Sequence, residues 1–310
     1  MKFRSSRRRI LQLIGSASVL PTSAWSAPSV PPISWSGVAL GGDVTLTVDG
    51  FTSEEAQSLI NDARSELERL ERIFSLYDER STLSQLNQNG IQHNAPRELT
   101  DVLRLSGTLF TQTAGAFDPT VQAYWDEEDN APVGFENVSV NGNTIRLIPG
   151  TRLTLNGIAQ GFITDHIAER FRMAGATHTL INLGEFQATG PKLDGRAWEI
   201  GLRDPEAIWR VAETVSLKKG ALATSSRILP SSRLSQHIFD PATGISPNHF
   251  KSVSVVAPTA AWADGLSTAL FVMPLEKGHD VLKAQQNVAA RFTMADGEVF
   301  TTSDWGRLTS

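Results

Sequence analysis

The residues with the clearest chemical potential lie between Ala221 and Phe271. Asp264 and Thr268 stand four apart on a helix expected to begin at about Ala260, so they share one face of it. A carboxylate and a hydroxyl aimed the same way from a helix's first turns suit a hard cation such as Mg²⁺, which takes oxygen ligands and usually shares them with a phosphate. The same spacing also occurs on helices that bind nothing, so residue type alone leaves both readings open. Upstream, His237-Ile238-Phe239-Asp240-Pro241 sets a titratable imidazole near an acid in a rigid corner, followed by a Thr243-Gly244 turn. The imidazole there can serve as a base or as a hydrogen-bonding brace for the corner. A third stretch, Leu155-Asn156-Gly157-Ile158-Ala159-Gln160-Gly161, leads from a strand into a helix. Such a glycine-containing junction leaves backbone N–H groups free at a positive dipole end, which favours phosphate, although glycine also permits close packing.

The elements that must position these residues follow from periodicity. Val44, Leu46 and Val48 alternate with polar residues and predict a half-buried strand over Asp43 to Asp49, after a proline-rich lead-in over residues 28 to 36. A long amphipathic helix is expected from Ser53 to Phe74, with Thr52 and Glu55 at capping-box spacing. Another is expected from roughly Asp101 to Thr113, capped by Thr100 and stopped at Gly115. Residues 137 to 155 read as three short strands with turns at Asn141-Gly142 and Pro149-Gly150. The helix opened by Gly157 runs to about Met173 and ends at Gly175, with Ile158, Phe162, Ile163, Ile167 and Phe171 inward. Strands follow at Thr179 to Leu183, Trp198 to Leu202 and Ser252 to Ala257, the last with Val253 and Val255 on one face. Val215 to Thr224 reads as strand and turn, and Arg291 to Thr301 as a hairpin around Asp296-Gly297. Strands and helices are mixed without regular βαβ alternation, which predicts an α+β fold with mixed or antiparallel sheets and flanking helices in one intertwined body.

Composition narrows the function classes. The chain has 310 residues, 40% of them hydrophobic and 20% charged, as in ordinary globular proteins. Residues 1–27 read as a twin-arginine signal: Ser6-Arg7-Arg8-Arg9-Ile10-Leu11 precedes an apolar run to Leu20 and a small-residue tail ending at Ala27. The expected destination is the periplasm, with residues 28–310 as the functional domain. That apolar run is too short for a permanent membrane span. There is no cysteine, hence no disulfide, no thiolate metal site and no lipid-anchor motif. Loss of the five basic residues in the signal takes the net charge from −5 to about −10, which disfavours nucleic acid and anionic membrane as partners.

Taken in order, FSLYDERSTLSQLN, GAFDPTVQAYWD, LNGIAQGF, INLGEF, ALATSS, HIFDPATG and ADGLSTAL form a series of islands over most of the domain. This series resembles the FAD:protein FMN transferase family, often called ApbE. The resemblance implies FAD and Mg²⁺, and transfer of FMN through a phosphoester bond to a threonine of an exported or membrane flavoprotein subunit. By motif position it makes Asp264 and Thr268 metal ligands, with Ser267 nearby and the carbonyl of Gly157 completing the shell. It sets Tyr77, Ala116, Phe117, Asp118, Gln160 and Ile238 around the flavin nucleotide, with Thr154 in the same lining and Leu40 where the family usually has methionine. It makes His237 the base that takes the proton of the acceptor threonine. The chain departs from the family pattern at Thr154, commonly acidic; at Gln160, commonly Lys or Glu; at Gly184-Glu185, commonly a glycine pair; and at Thr224-Ser225-Ser226, commonly TSG. These departures are expected to remove charge and glycine flexibility around the nucleotide. Two further outcomes stay open beside protein flavinylation: a pyrophosphatase that uses water as acceptor, and an accessory protein that holds FAD without turnover.

Overall fold

The run Phe250–Ala257 is buried along nearly its whole length because two apolar cores meet on it, one on each face. In the computed structural model, which describes residues 31–128, 131–227 and 238–310, this strand is the eleventh of thirteen among the described residues. The expected signal at residues 1–27 and the proposed base His237 lie outside the described residues.

The chain begins with β1 (Ile33–Ala39), β2 (Gly42–Val48), α1 (Ser53–Phe74), α2 (Thr82–Asn89), β3 (Ile91–Gln92), α3 (Arg97–Gln112) and α4 (Gln122–Trp125). Next come β4 (Val138–Asn141), β5 (Thr144–Leu147), α5 (Ala159–Met173), β6 (Thr179–Asn182), β7 (Phe186–Ala188), β8 (Trp198–Asp204) and β9 (Ala207–Leu217). The last group is β10 (Gly220–Ser226), β11 (Phe250–Ala257), α6 (Ala260–Val272), α7 (Leu275–Lys283), β12 (Ala289–Met294), β13 (Val299–Thr301) and α8 (Trp305–Leu308).

Eight strands form one sheet in the order β1-β2-β6-β7-β10-β11-β12-β13, with every neighbouring pair antiparallel. On one face, Val253 and Val255 pack with α1, α3, α5 and α6 in the larger core. On the other, Val256, Leu222 and Leu180 pack under the β8–β9 hairpin through Trp198, Ile200, Leu202 and Val215. Glu213 clamps this layer, accepting from Arg291 Nε at 2.6 Å and from Trp305 Nε1 at 2.9 Å. The fold is thus α+β, as expected, with a separate three-stranded sheet ordered β3-β5-β4.

Several elements follow from identifiable local chemistry. α1 starts on a capping box: Thr52 Oγ1 accepts from Glu55 N–H, and Glu55 Oε2 accepts from Thr52 N–H at 3.0 Å. Gly115, at φ +84°, donates its N–H to the Phe110 carbonyl and ends the third helix as a left-handed stop. That helix begins earlier than Thr100, at Arg97 behind Pro96, and Thr100 turns its hydroxyl back onto the Arg97 carbonyl at 2.8 Å. Over residues 137 to 155 there are two strands instead of three. The stretch after Gly150 is held as extended chain by Asn87, whose side chain bonds both the N–H and the carbonyl of Leu153 at 2.8 Å. Part of the proline-rich lead-in is a strand, β1, whose Trp35 ring lies over Gly37 and carries the Arg64 guanidinium on its face. Val215 to Thr224 is likewise two strands joined at Lys218-Lys219, since Gly220 adopts φ +111°.

The crossing of α5 and α6 is tight enough to exclude side chains. A Cβ on Gly161 would fall 2.3 Å from the Ala260 carbonyl oxygen, whereas one on Gly265 would fall 2.3 Å from the Leu109 Cδ1 methyl. Backbone cannot yield as a side-chain tip can. Gly161→Ala is therefore expected to destabilise the fold by about 1–3 kcal/mol, the range for overpacking, and by more than Gly265→Ala. Urea unfolding of the two variants tests the order; an equal or smaller loss for Gly161→Ala contradicts the crossing.

Candidate active site

α6 is positioned from both ends of its first turns. Thr259 caps it by accepting from Trp262 N–H, and the Asp165 carboxylate of α5 accepts from Ala260 N–H and Ala261 N–H, each at 2.8 Å. One turn on, Asp264 Oδ2 accepts from Gly161 N–H at 3.0 Å. The two helices therefore exchange carboxylates for backbone donors. The expected free N–H at the start of α5 is in this respect already used: Gly161 gives its proton to Asp264 and leaves less for a phosphate.

Asp264 and Thr268 do share a face, and both line a cavity of about 80 Å³. Also in its wall are Ala116, Phe117, Asp118, Thr154, Gly157, Gln160 and Ile238, so the structure brings these sequence-selected residues together. A Cβ on Gly157 would sit 2.9 Å from Thr268 Oγ1, which places the Gly157 backbone directly against that hydroxyl. Ser267 is placed differently: 1% exposed, it donates to the Asp264 carbonyl at 3.0 Å and meets Ser225 Oγ at 2.8 Å, behind the cavity wall. Ser225, marked in the sequence only as part of the Thr224-Ser225-Ser226 departure, lies in the wall and comes within 3.4 Å of Thr268 Oγ1.

Asp118 is held by its own corner. Its Oδ1 accepts from Thr120 N–H at 2.8 Å and Thr120 Oγ1 at 2.7 Å, and Tyr124 Oη donates to the Pro241 carbonyl at 2.9 Å, tying the GAFDPT corner to the HIFDPATG corner. Thr154 N–H donates to the Pro119 carbonyl at 2.7 Å, so the same corner also anchors the approach to α5.

Leu40 and Tyr77 lie in a second cleft of about 610 Å³, which shares Asn156 and Gln160 with the smaller cavity. Leu40 occupies the tight turn between the first two strands at φ +52°, and its N–H donates to Glu71 Oε1 at 2.6 Å. Tyr77 follows the C-terminus of α1, with its N–H on Ser75 Oγ at 3.1 Å, and its side chain is half exposed. The smaller cavity offers room for a few water-sized groups at roughly 10–15 Å³ each, such as a hydrated ion or a phosphate. The wider one has the volume usual for an organic ligand.

Burial governs the electrostatics. It pushes the Asp264 carboxyl up to about 7, against the pull of the Gly161 N–H, and Asp165 up to about 6, against its two backbone donors. Glu185 is raised well above the carboxylate range by burial and by the Asp264 charge, while a backbone N–H from Thr224 opposes the shift. Glu185 reverses one expectation. The change from a glycine pair was expected to remove charge, yet it adds a buried carboxylate to the cavity wall. The signal was present as an acid where the pattern has glycine, but only the hairpin geometry shows where it points.

Donor chemistry suits a hard cation: Asp264, Thr268 and the Gly157 backbone supply oxygen alone. A different cluster, Glu66, Glu98 and His166, has ligand atoms within 4.8 Å of one another. Its charge is already answered by Arg69, which bonds both carboxylates and holds Glu66 down to about 2.

The α+β body thus sets buried carboxylates and hydroxyls in a small cavity beside a wide cleft, with Asn156 and Gln160 in the walls of both. The sequence profile described as the ApbE family matches residues 40–292, and the chain belongs to that family. It is 28% identical to the FAD:protein FMN transferase of Haemophilus influenzae over 84% of this chain and 83% of that one. It is 30% identical to that of Vibrio cholerae over 71% and 75%. Among solved structures, the flavin transferase ApbE from Vibrio cholerae superposes with a TM-score of 0.78 at 26% identity, covering 90% of this chain and all of that one. The ApbE protein of Thermotoga maritima shares the fold with a TM-score of 0.80 at 24% identity, with the same coverage.

The raised carboxyls give a pH dependence of defined sign. Asp165 and Asp264 hold their protons more tightly folded than unfolded, so their contribution to stability is full below about pH 4 and is lost as pH rises through 6 to 7. Glu66 acts oppositely, but only below its ordinary range near pH 4.5. The metal-free protein should therefore melt at a higher temperature at pH 5 than at pH 7.5, and Asp165→Asn should reduce that difference. Differential scanning calorimetry at the two pH values tests this; a higher melting temperature at pH 7.5 refutes it.

Proposed function

We propose that this chain is an Mg²⁺-dependent FAD:protein FMN transferase, exported by the twin-arginine route and acting on a threonine of a flavoprotein in the periplasm or at its membrane. The observation that carries the reading is a pair of neighbouring cavities with two wall residues in common. One is small and oxygen-lined around Asp264, Thr268 and Gly157; the other is wide and bordered by Leu40 and Tyr77; Asn156 and Gln160 belong to both. FAD has this division of chemistry, with a pyrophosphate joined to a large ring system. The names of the relatives point to the same reaction.

In the proposed reaction the threonine hydroxyl oxygen bonds to the phosphorus of the FMN half. The P–O bond to AMP breaks, AMP leaves with the bridging oxygen, and the hydroxyl proton passes to His237. Bound Mg²⁺ supplies charge neutralisation on the phosphate oxygens. The chain's own part is positional: Gly161 N–H and the capped start of α6 orient Asp264, Ser225 steadies Thr268, and the Asp118 and Pro241 corners, tied together through Tyr124, form part of the cavity wall. A neutral imidazole near pH 7 has the right basicity to accept the proton.

Asp264→Ala should abolish Mg²⁺-dependent transfer while the protein stays folded; unchanged activity across a magnesium titration excludes Asp264 as the ligand. Thr268→Val should be milder, since a neutral hydroxyl contributes less to a hard cation than a carboxylate does. Tyr77→Ala should weaken FAD by roughly 1–3 kcal/mol if the ring stacks on it, as bases do on aromatic platforms. Equal affinity by calorimetry makes Tyr77 a structural residue. His237→Ala should retain FAD and Mg²⁺ affinity but lose about 10²–10⁴-fold in single-turnover transfer, read as acceptor fluorescence in a denaturing gel. A parallel fall in binding and transfer assigns His237 to the corner's structure. Release of FMN and AMP with no labelled acceptor assigns water as the acceptor.

A further inference from the structure

Glu185 stands at the turn between β6 and β7, and the geometry of that turn sends its side chain into the smaller cavity. Gly184 adopts φ +105°, and a Cβ there would fall 2.9 Å from the Gln160 amide, so the turn packs directly against the start of α5. Leu183 N–H closes the turn on the Glu185 carbonyl at 3.1 Å. Leu222 pairs with Phe186, which sets Thr224, two residues farther along β10, beside the turn, where its N–H reaches the Glu185 carboxylate. Glu185 is 3% exposed, and it lines the same cavity as Asp264 and Thr268.

The described lining of that cavity contains three carboxylates, Asp118, Glu185 and Asp264, and no lysine, arginine or histidine. Asp118 is occupied by the Thr120 N–H and hydroxyl, whereas Glu185 and Asp264 each have one backbone donor identified and face the same small space. Two buried carboxyl groups without a cationic side chain beside them cannot both ionise cheaply unless something positive sits between them. A phosphate alone would add to the repulsion. An oxygen-preferring divalent cation relieves it, and Mg²⁺ sites commonly draw on one or two carboxylates.

We propose that Glu185 is a second carboxylate ligand of the cation held by Asp264, so that this chain takes up the cation before any nucleotide. This rests on the Asp264–Thr268 cation site proposed above. It adds a ligand from the β6–β7 turn, where the family commonly has glycine.

The test is a titration of the full chain with Mn²⁺ in the absence of FAD, followed by electron paramagnetic resonance of free Mn²⁺. The parent should bind one Mn²⁺. Glu185→Gln keeps an oxygen for the Thr224 N–H, and should weaken that binding at least tenfold without lowering the melting temperature of the metal-free protein. Unchanged Mn²⁺ affinity in Glu185→Gln overturns the proposal, as does weakened affinity with a lower metal-free melting temperature, which would make Glu185 a brace for the turn. Asp264→Ala separates the two levels. Loss of Mn²⁺ in Asp264→Ala but not in Glu185→Gln removes only the second ligand; retention in both displaces the cation site itself.

Discussion

The hydrogen bond from Gly161 N–H to the Asp264 carboxylate is the constraint on which the site depends. It requires α5 and α6 to approach until no side chain fits between them, which is why Gly161 lies against the Ala260 carbonyl. The same crossing lets Asp165 cap the start of α6, so two acids that would otherwise repel each other are held by backbone dipoles pointing in opposite directions. Backbone donors reduce the penalty of burying these carboxylates without cancelling it, as the upward shifts of both groups show. A site poised in this way gains from any cation that enters it.

The large sheet turns that local constraint into a cavity. Because the β8–β9 hairpin covers one face and the helices the other, the central strands are buried on both sides and cannot tilt. The antiparallel pairing of β7 with β10 then puts the start of one strand beside the far end of the other. Glu185 and Thr224–Ser225 thereby reach the edge of the helix crossing at the same level, and Ser225 touches both Ser267 and Thr268. Wall, floor and ligands come from segments far apart in sequence, but each is fixed by an ordinary element boundary.

How much of the structure was legible in the sequence depends on how local each cause is. The capping box at Thr52, the stops at Gly115 and Gly175, and the Asp296-Gly297 hairpin are decided within a few residues, and they appear as read. The Asp264–Thr268 face is local too, being one turn of one helix. Elements decided by distant partners were misread. The first strand exists because it pairs with the second, and the extended run after Gly150 is held by Asn87 from a different helix. Asp165 went unread as a site residue, and Glu185 was read only as a departure from a glycine pair, for the same reason: each acts on an element it meets only through the fold. Ser267 is the converse case: the family resemblance set it beside the metal ligands, and its helix turns it behind the cavity wall.

The departures from the family pattern collect in one place. Thr154, Gln160 and Glu185 all border the smaller cavity, and Gln160 also belongs to the wider cleft, whereas Asp264, Thr268 and the HIFDPATG corner are retained. The cavity of about 80 Å³ has the Asp264 carboxylate in its wall, and the cleft of about 610 Å³ has the exposed aromatic Tyr77 but not that carboxylate. Asn156 and Gln160, at the approach to α5 and in its first turn, are the wall residues common to both. With Gln160 neutral and Glu185 acidic, the described lining of the smaller cavity offers no side-chain cation. In the proposed reaction the positive charge would come from the bound ion and from the α5 dipole. The altered residues thus redistribute charge around the smaller cavity while leaving intact the helix crossing that orients the Asp264 carboxylate.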